Sequence, residues 1–294
     1  MPVQSFQFGD LRLEGWSLAG DATWFRVHPP GLAFDAGRGD ARLGGARDLF
    51  LSHGHLDHVL GVPFLLSHRT GMEGEATRVH CPAPLAEPLR RFVDAAAAVE
   101  GNEYRYQVVP LAPGERVAVG RGMVVEAFAT PHVLPSLGYH LIRRRMRLAE
   151  PYRGLPGERL AALRRQGAAI EERVEEIRLT YCGDTSREIF DLEPRLFSSK
   201  VLVLECTFLG RELEEKGRQY GHLNFSEIRE RAGDFRNEAL VLHHLSRRHR
   251  RAELRALVDA EMPELAARVH LVGRGGDGSG GGVGPGAAPF EVPT

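Results

Sequence analysis

Lysine is almost absent from this chain of 294 residues: Lys200 and Lys216 are the only two, and arginine supplies the rest of the cationic charge. The formal net charge is -1, which excludes capture of a polyanion by bulk charge; a nucleic acid would have to be met by a local cluster of arginines. Cysteine is scarce too. Cys81, Cys182 and Cys206 are odd in number and show no C-x-x-C spacing, which argues against a secreted disulfide framework and fits a reducing cytoplasm. No uncharged apolar run approaches the roughly eighteen residues of a membrane-spanning helix. The opening Met1-Pro2-Val3-Gln4-Ser5 has neither the basic nor the apolar region of a signal peptide, so none is expected.

A hydrophobic content of 43% and a charged content of 26% suit a chain that buries a substantial core. Strand signals at Leu11 to Leu18, Thr23 to Val27, Leu32 to Phe34 and Leu49 to Leu51 are each bounded by Gly, Asp or Pro. Helical periodicity follows over Pro84 to Val99. Further strands are expected at Arg105 to Val109, Arg116 to Val119, Val124 to Ala129 and Tyr139 to Ile142. The later half alternates strands at Leu179 to Cys182, Val201 to Leu204, Ala239 to Leu242 and Val269 to Val272 with helices at Ile189 to Phe197, Phe225 to Ala232 and Arg251 to Ala260. Interleaving of this kind predicts an α/β domain over residues 1–273, its sheets covered by helices. Residues 274–294 are glycine-rich and expected to form a flexible tail.

Residues 143–176 interrupt the pattern as an inserted arm. From Arg143 to Arg165 there are eight arginines against two glutamates. Such a run is either a solvated helix face or a grip for a phosphate backbone, where arginine gives sequence-independent, salt-sensitive affinity.

The densest chemistry lies in His53-Gly54-His55-Leu56-Asp57-His58, set between the apolar run Leu49 to Leu51 and a helix start at Val59. Three imidazoles and a carboxylate at a strand-to-helix turn point to a metal, and zinc suits mixed nitrogen and oxygen donors. Alternate residues of an extended backbone face one way, so His53 and His55 can meet one ion while Asp57 and His58 address a second. Four other places carry matching chemistry. Thr130-Pro131-His132 ends an apolar strand, Cys182-Gly183-Asp184-Thr185 ends another, Gly221-His222-Leu223-Asn224 opens a helix, and Leu242-His243-His244-Leu245-Ser246 ends a third strand.

In this order, HGHLDH, TPH, CGDT, ECTF, GH and HHLS resemble the metallo-β-lactamase superfamily and, within it, the short form of tRNase Z, the endonuclease that trims tRNA precursors at the 3′ end. The stretch Pro131 to Tyr139 and Glu205-Cys206-Thr207-Phe208-Leu209 are especially similar to the plant and cyanobacterial short enzymes, and the resemblance spans roughly residues 15 to 272. It implies a four-layered αββα sandwich, with two divalent metal ions, zinc above others, at one edge of the sheets. His53, His55 and His132 would hold the first ion, Asp57, His58 and His244 the second, and Asp184 both. It implies proton transfer by His222; beside that, Glu205 is the carboxylate expected to orient the imidazole, and Asp57 is expected to take the proton of the attacking water. It also implies a tRNA precursor as substrate and a homodimer in which one subunit's arm reaches RNA bound to the other.

Arg143, Arg144, Arg145 and Arg147 on the arm, and Arg247 and Arg248 after His244, are the expected phosphate contacts. There are departures from the family pattern. His243 stands where threonine is usual and competes with His244 as the ligand, His244 being preferred. His249 stands where tyrosine is usual. The long glycine-proline arm and the Pro-x-Lys-x-Arg-Asn loop of many bacterial relatives are missing. Two other readings change the substrate or remove the chemistry: a metal-dependent phosphodiesterase or other hydrolase acting on a small ester, and a metal-bound RNA-binding protein without turnover.

Overall fold

The computed structural model describes residues 3–69, 76–120 and 122–275; all but the first two residues of the expected tail lie outside the described residues. Two seven-stranded sheets form the centre. The first runs in chain order through β1 (Gln4–Phe8), β2 (Leu11–Leu18), β3 (Ala22–His28), β4 (Leu32–Phe34), β5 (Asp48–Phe50), β6 (Thr77–Pro82) and β7 (Tyr106–Leu111). The second contains β8 (Arg116–Gly120), β9 (Met123–Ala129), β10 (Leu137–Leu148), β11 (Glu171–Tyr181), β12 (Val201–Glu205), β13 (Ala239–His243) and β14 (Val269–Leu271), again laid side by side in sequence order. In each sheet the strands from β4 to β7 and from β11 to β14, joined through helical turns or helices, pair parallel, and the rest pair antiparallel, including β10 with β11.

The helices follow from which strand faces remain apolar. Every residue of β12 and β13 is buried, as expected of parallel strands covered on both sides. Phe25, Phe34, Tyr139, Tyr181, Val203 and Val241 meet between the two sheets. On the outer face of the first sheet, Leu49 and Val79 pack with Leu65 and Leu66 of α2 (Val62–Arg69) and Leu89 and Val93 of α3 (Ala86–Glu100). A short α1 (Leu56–Val59) precedes them. On the other side, Leu204 and Leu242 pack under α5 (Ile189–Leu192), α7 (Phe225–Glu230), α8 (Arg251–Glu261) and α9 (Pro263–Ala266). Helix, sheet, sheet, helix: the four-layered sandwich expected from the sequence is the fold. The helix expected over Ile189 to Phe197 stops at Leu192, because Pro194 starts a separate 3₁₀ turn.

The arm is a continuation of β10 and β11 with α4 (Gly157–Arg165) at its tip. Both strands are longer than their apolar stretches suggest. A register shift between Leu141 and Ile142 marks where the pair leaves the body, and beyond it the side chains turn from buried to exposed. Past that bulge Arg143, Arg144 and Arg147 lie opposite Glu176, Glu175 and Glu172. Opposite charges directly across a strand pair favour pairing, so the arm's glutamates zip it to its arginines.

Candidate metal centre

The carboxyl ends of the parallel strands in an α/β sheet are where ligands bind, and here the two sheets turn those ends toward one place. Ser52 and His53 follow β5, Asp184 follows β11, Glu205 closes β12, and His243 and His244 close β13. The Leu137 N–H at the start of β10 donates to the Ser52 carbonyl at 2.9 Å, tying the two sheets together beside the site. Gly183 lets the Asp184 loop come that close: its φ is +62°, and a Cβ there would stand 2.6 Å from Ser52 Cβ.

Two groups of donors share Asp184. His53, His55, His132 and Asp184 each offer an atom within 4.8 Å of the others, and so do Asp57, His58 and His244. His53 Nε2 lies 2.9 Å from His55 Nδ1, which is 3.3 Å from His132 Nε2. Asp184 Oδ2 lies 3.3 Å from His58 Nε2, 3.4 Å from His244 Nε2 and 3.6 Å from His53 Nε2. His244 Nε2 is also 3.4 Å from Asp57 Oδ2. His243 is turned the other way by strand alternation. Its ring packs between the sheets on Phe25 and Tyr181, with Nδ1 3.2 Å from Ser17 Oγ. Of the two neighbouring histidines, His244 is the one in the cluster.

Outer partners decide which nitrogen faces inward. The Ser52 hydroxyl donates to Asp35 at 2.8 Å and so accepts from His53 Nδ1–H at 3.0 Å, leaving His53 Nε2 for the cluster. His132 Nδ1–H donates to the Gly221 carbonyl at 2.9 Å. The Thr207 hydroxyl donates to Glu205 at 2.5 Å and accepts from His244 Nδ1–H at 3.0 Å. Partners of this sort fix tautomer and ring orientation. Asp35 is the residue that the sequence reading missed. Fully buried, it accepts from Ser52 N–H at 2.7 Å, Tyr181 O–H at 2.5 Å and His58 Nδ1–H at 2.7 Å. Its one signal is an acid directly after the apolar run Leu32 to Phe34. Asp35 and His244 both hold left-handed backbone, φ 54° and 60°, which costs a residue with a side chain on the order of 1–3 kcal/mol. Among the described non-glycine residues this backbone falls on Asp35, which orients His58, and on the donor His244.

The electrostatics fit a cation. Burial pushes the His53 and His55 imidazoles down, His53 well below the usual range, so both favour the neutral, ligating form. Burial opposes charge on His58, but the Asp184 and Asp35 carboxylates outweigh it and hold that imidazole well above its usual range. Burial also opposes charge on Asp184, yet His244 and His58 keep its carboxyl well below the usual range. Asp184 Oδ1 is buried without a hydrogen-bond partner. A buried carboxylate with an idle oxygen, ringed by imidazole nitrogens, is costly unless positive charge sits beside it. The nitrogen and oxygen donors suit zinc.

His222 lies at the edge of the cluster, one of its ring nitrogens within 4.8 Å of ligand atoms of Asp184 and His244. Its Nδ1–H donates to Glu205 Oε1 at 2.8 Å, and Glu205 also accepts from the Thr185 N–H at 2.9 Å. Burial works against a charged His222, but the Glu205 carboxylate prevails and raises it to about 9. Asp57 accepts the Gly20 N–H at 2.8 Å. A cleft of about 360 Å³ opens over His55 and His222 and is bordered by Arg247 and Arg248. Arg247 donates to the Gly20 carbonyl at 2.7 Å.

The arm arginines are elsewhere. β10 starts at the cluster and carries Arg143 to Arg147 away from it, roughly 20–33 Å along the strand at 3.3 Å per residue. Three of the four expected phosphate contacts are also tied to carboxylates: Arg143 to Asp10, Arg144 to Glu175 at 2.8 Å and Arg147 to Glu172 at 2.9 Å. Counting arginines to Arg165 overstated the free charge, because the matching glutamates return on β11.

Residues 35–245 match the family model described as a beta-lactamase superfamily domain. The chain is 30% identical over 275 residues to tRNase Z TRZ1 of Arabidopsis thaliana, covering 92% of this chain and 98% of that protein. It is 30% identical to the chloroplastic tRNase Z TRZ2 of the same plant, covering 87% and 73%. Among solved structures, the short form of human tRNase Z superposes with a TM-score of 0.57 at 19% identity, covering 88% of this chain and 94% of that one. The metallo-beta-lactamase fold protein YhfI of Bacillus subtilis gives 0.61 at 14%, covering 90% and 95%.

Proposed function

The chain belongs to the beta-lactamase superfamily and, within it, to the tRNase Z relatives, and on that footing we propose that it is a metal-dependent endoribonuclease that removes 3′ trailers from tRNA precursors. The observation that carries the reading is the juxtaposition of the seven-residue donor cluster with the Glu205–His222 pair. Hydrolysis of an RNA diester must expel a poor leaving group, the 3′ oxygen of a ribose, and that oxygen needs a proton. His222, whose charged form the Glu205 carboxylate favours, stands beside the cluster to supply one.

His53, His55 and His132 would hold one divalent ion, Asp57, His58 and His244 a second, and Asp184 would be shared by both. Ions bound there lower the pKa of water and offset charge on the attacking and leaving oxygens. The remaining work falls to the chain. Asp57, itself a member of the cluster, would accept the proton of the attacking water. Glu205 holds His222 by Nδ1, so Nε2 faces the departing oxygen. Arg248, without a carboxylate partner among the described residues, borders the cleft where a phosphate would enter.

Because the arm leads away from its own cluster, we further propose a homodimer in which each arm serves RNA held at the other subunit's centre. No helix among the described residues is long and apolar enough to cross a membrane. All three cysteines are free and buried, which supports a cytoplasmic assignment.

End-labelled tRNA precursor with a 3′ trailer, incubated with the metal-loaded protein, should yield one cut immediately 3′ of the discriminator nucleotide, read on a sequencing gel. Cleavage of small diesters with no cut in the precursor would favour the small-ester hydrolase instead. The arm makes a separate prediction. Arg145, Arg159 and Arg165 have no carboxylate partner among the described residues, so replacing all three by glutamine should weaken precursor binding. It should also flatten the slope of log affinity against log salt by roughly two to three. A slope identical to that of the unsubstituted protein, measured by filter binding, would remove the arm from RNA recognition.

A further inference from the structure

The cleft beside the cluster has one open aromatic ring. Tyr220 and Phe64 are the exposed aromatic residues among the described ones, and of the two only Tyr220, 48% exposed, borders this cleft. Tyr220 is the last residue of α6 (Glu214–Tyr220). One helical turn earlier stands Lys216, whose Nζ lies over the ring at 6.0 Å from its centroid, as i and i+4 positions on a helix allow.

The position of the ring is fixed by the same backbone that fixes the chemistry. Gly221 ends the helix in left-handed conformation, and its carbonyl accepts the proton of His132 Nδ1. A Cβ on Gly221 would lie 3.0 Å from His132 Nδ1, so only glycine fits there without a shift. The next residue, His222, donates its N–H to the Gly217 carbonyl inside α6 at 2.9 Å. Three consecutive residues thus present a flat ring, a carbonyl that orients a ligand, and the proton donor.

We infer that Tyr220 is the stacking platform for the base of the nucleotide whose 3′ oxygen departs, with Lys216 beside it for the adjoining phosphate. The inference rests on reading the site as an RNA-cutting centre. His222 sets the side: it must face the leaving 3′ oxygen, and Tyr220 opens on the cleft two residues away. A flat ring serves any base, because every base has a π face. That suits a nuclease that meets different nucleotides at the cut.

The test uses full-length metal-loaded protein and precursors carrying one abasic nucleotide, placed either 5′ or 3′ of the scissile phosphate. Tyr220→Ala should raise KM on the intact precursor about tenfold or more, with a smaller effect on kcat, and Tyr220→Phe should restore it. The 5′ abasic precursor should cost the unsubstituted protein a similar factor and cost Tyr220→Ala nothing further. Circular dichroism and metal content establish that Tyr220→Ala is folded; if it is not, the contrast between Tyr220→Phe and Tyr220→Leu takes its place. Multiplication of the two losses at the 5′ position would overturn the inference, as would equal losses in the phenylalanine and alanine variants. If the unsubstituted protein cuts no intact precursor, the underlying reading fails and takes this one with it.

Discussion

Asp184→Asn is expected to bind well under one equivalent of divalent metal, against close to two for the unsubstituted chain, and to cut precursor slower by upwards of about 10³-fold. The substitution keeps shape and removes one negative charge. Asp184 lies within reach of both donor groups, with Oδ2 3.3–3.6 Å from nitrogens of His58, His244 and His53. An amide there offers neither group an anionic oxygen, and its NH₂ would compete with a cation for the same imidazole lone pairs. Elemental analysis after loading and desalting reads the metal; a gel assay reads the rate. A variant that retains two equivalents and full activity would dismantle the site as described.

The second large effect belongs to His222. His222→Ala should keep both ions, since the five imidazoles and two carboxylates of the two donor groups are untouched, yet lose about 10²–10⁴-fold in precursor cleavage, as acid–base residues do. The loss should depend on the leaving group. A ribose 3′ oxygen departs poorly without a proton, whereas nitrophenolate departs without one, so a nitrophenyl diester should suffer far less. Equal losses on both substrates, measured as kcat, would mean that His222 shapes the site instead of donating a proton. Glu205 acts through His222, and its burial with three donors on two oxygens explains why the imidazole cannot swing away.

Much of this centre could be read from the chain because its chemistry is clustered in sequence. Four of the donors sit within His53 to His58, and the others terminate apolar strands, where a polar residue stands out. Asp35 could not be found that way. A single acid after a three-residue strand has no local periodicity, and its four partners come from Ser52, His58 and Tyr181, brought together only by the packing of two sheets. The preference for His244 over His243 rested on alignment of motifs; in the structure strand alternation sends His243 into the core. The arm was misjudged for a related reason. Its arginines lie at Arg143 to Arg147 and their glutamates at Glu172 to Glu176, so the pairing is invisible to any window shorter than the hairpin. Helix α6 went unseen because Glu214 to Tyr220 has almost no apolar face, its only buried residue being Gly217.

β10 and β11 do two jobs from opposite ends. One end frames the cluster; the other projects as a paired ribbon stiffened by facing charges. Each residue pair added to or removed from that ribbon would shift its tip by roughly 3.3 Å and leave every ligand where it is. Reach and reactivity are therefore separately adjustable in this architecture, and the distance at which a substrate is gauged is written as a count of residues.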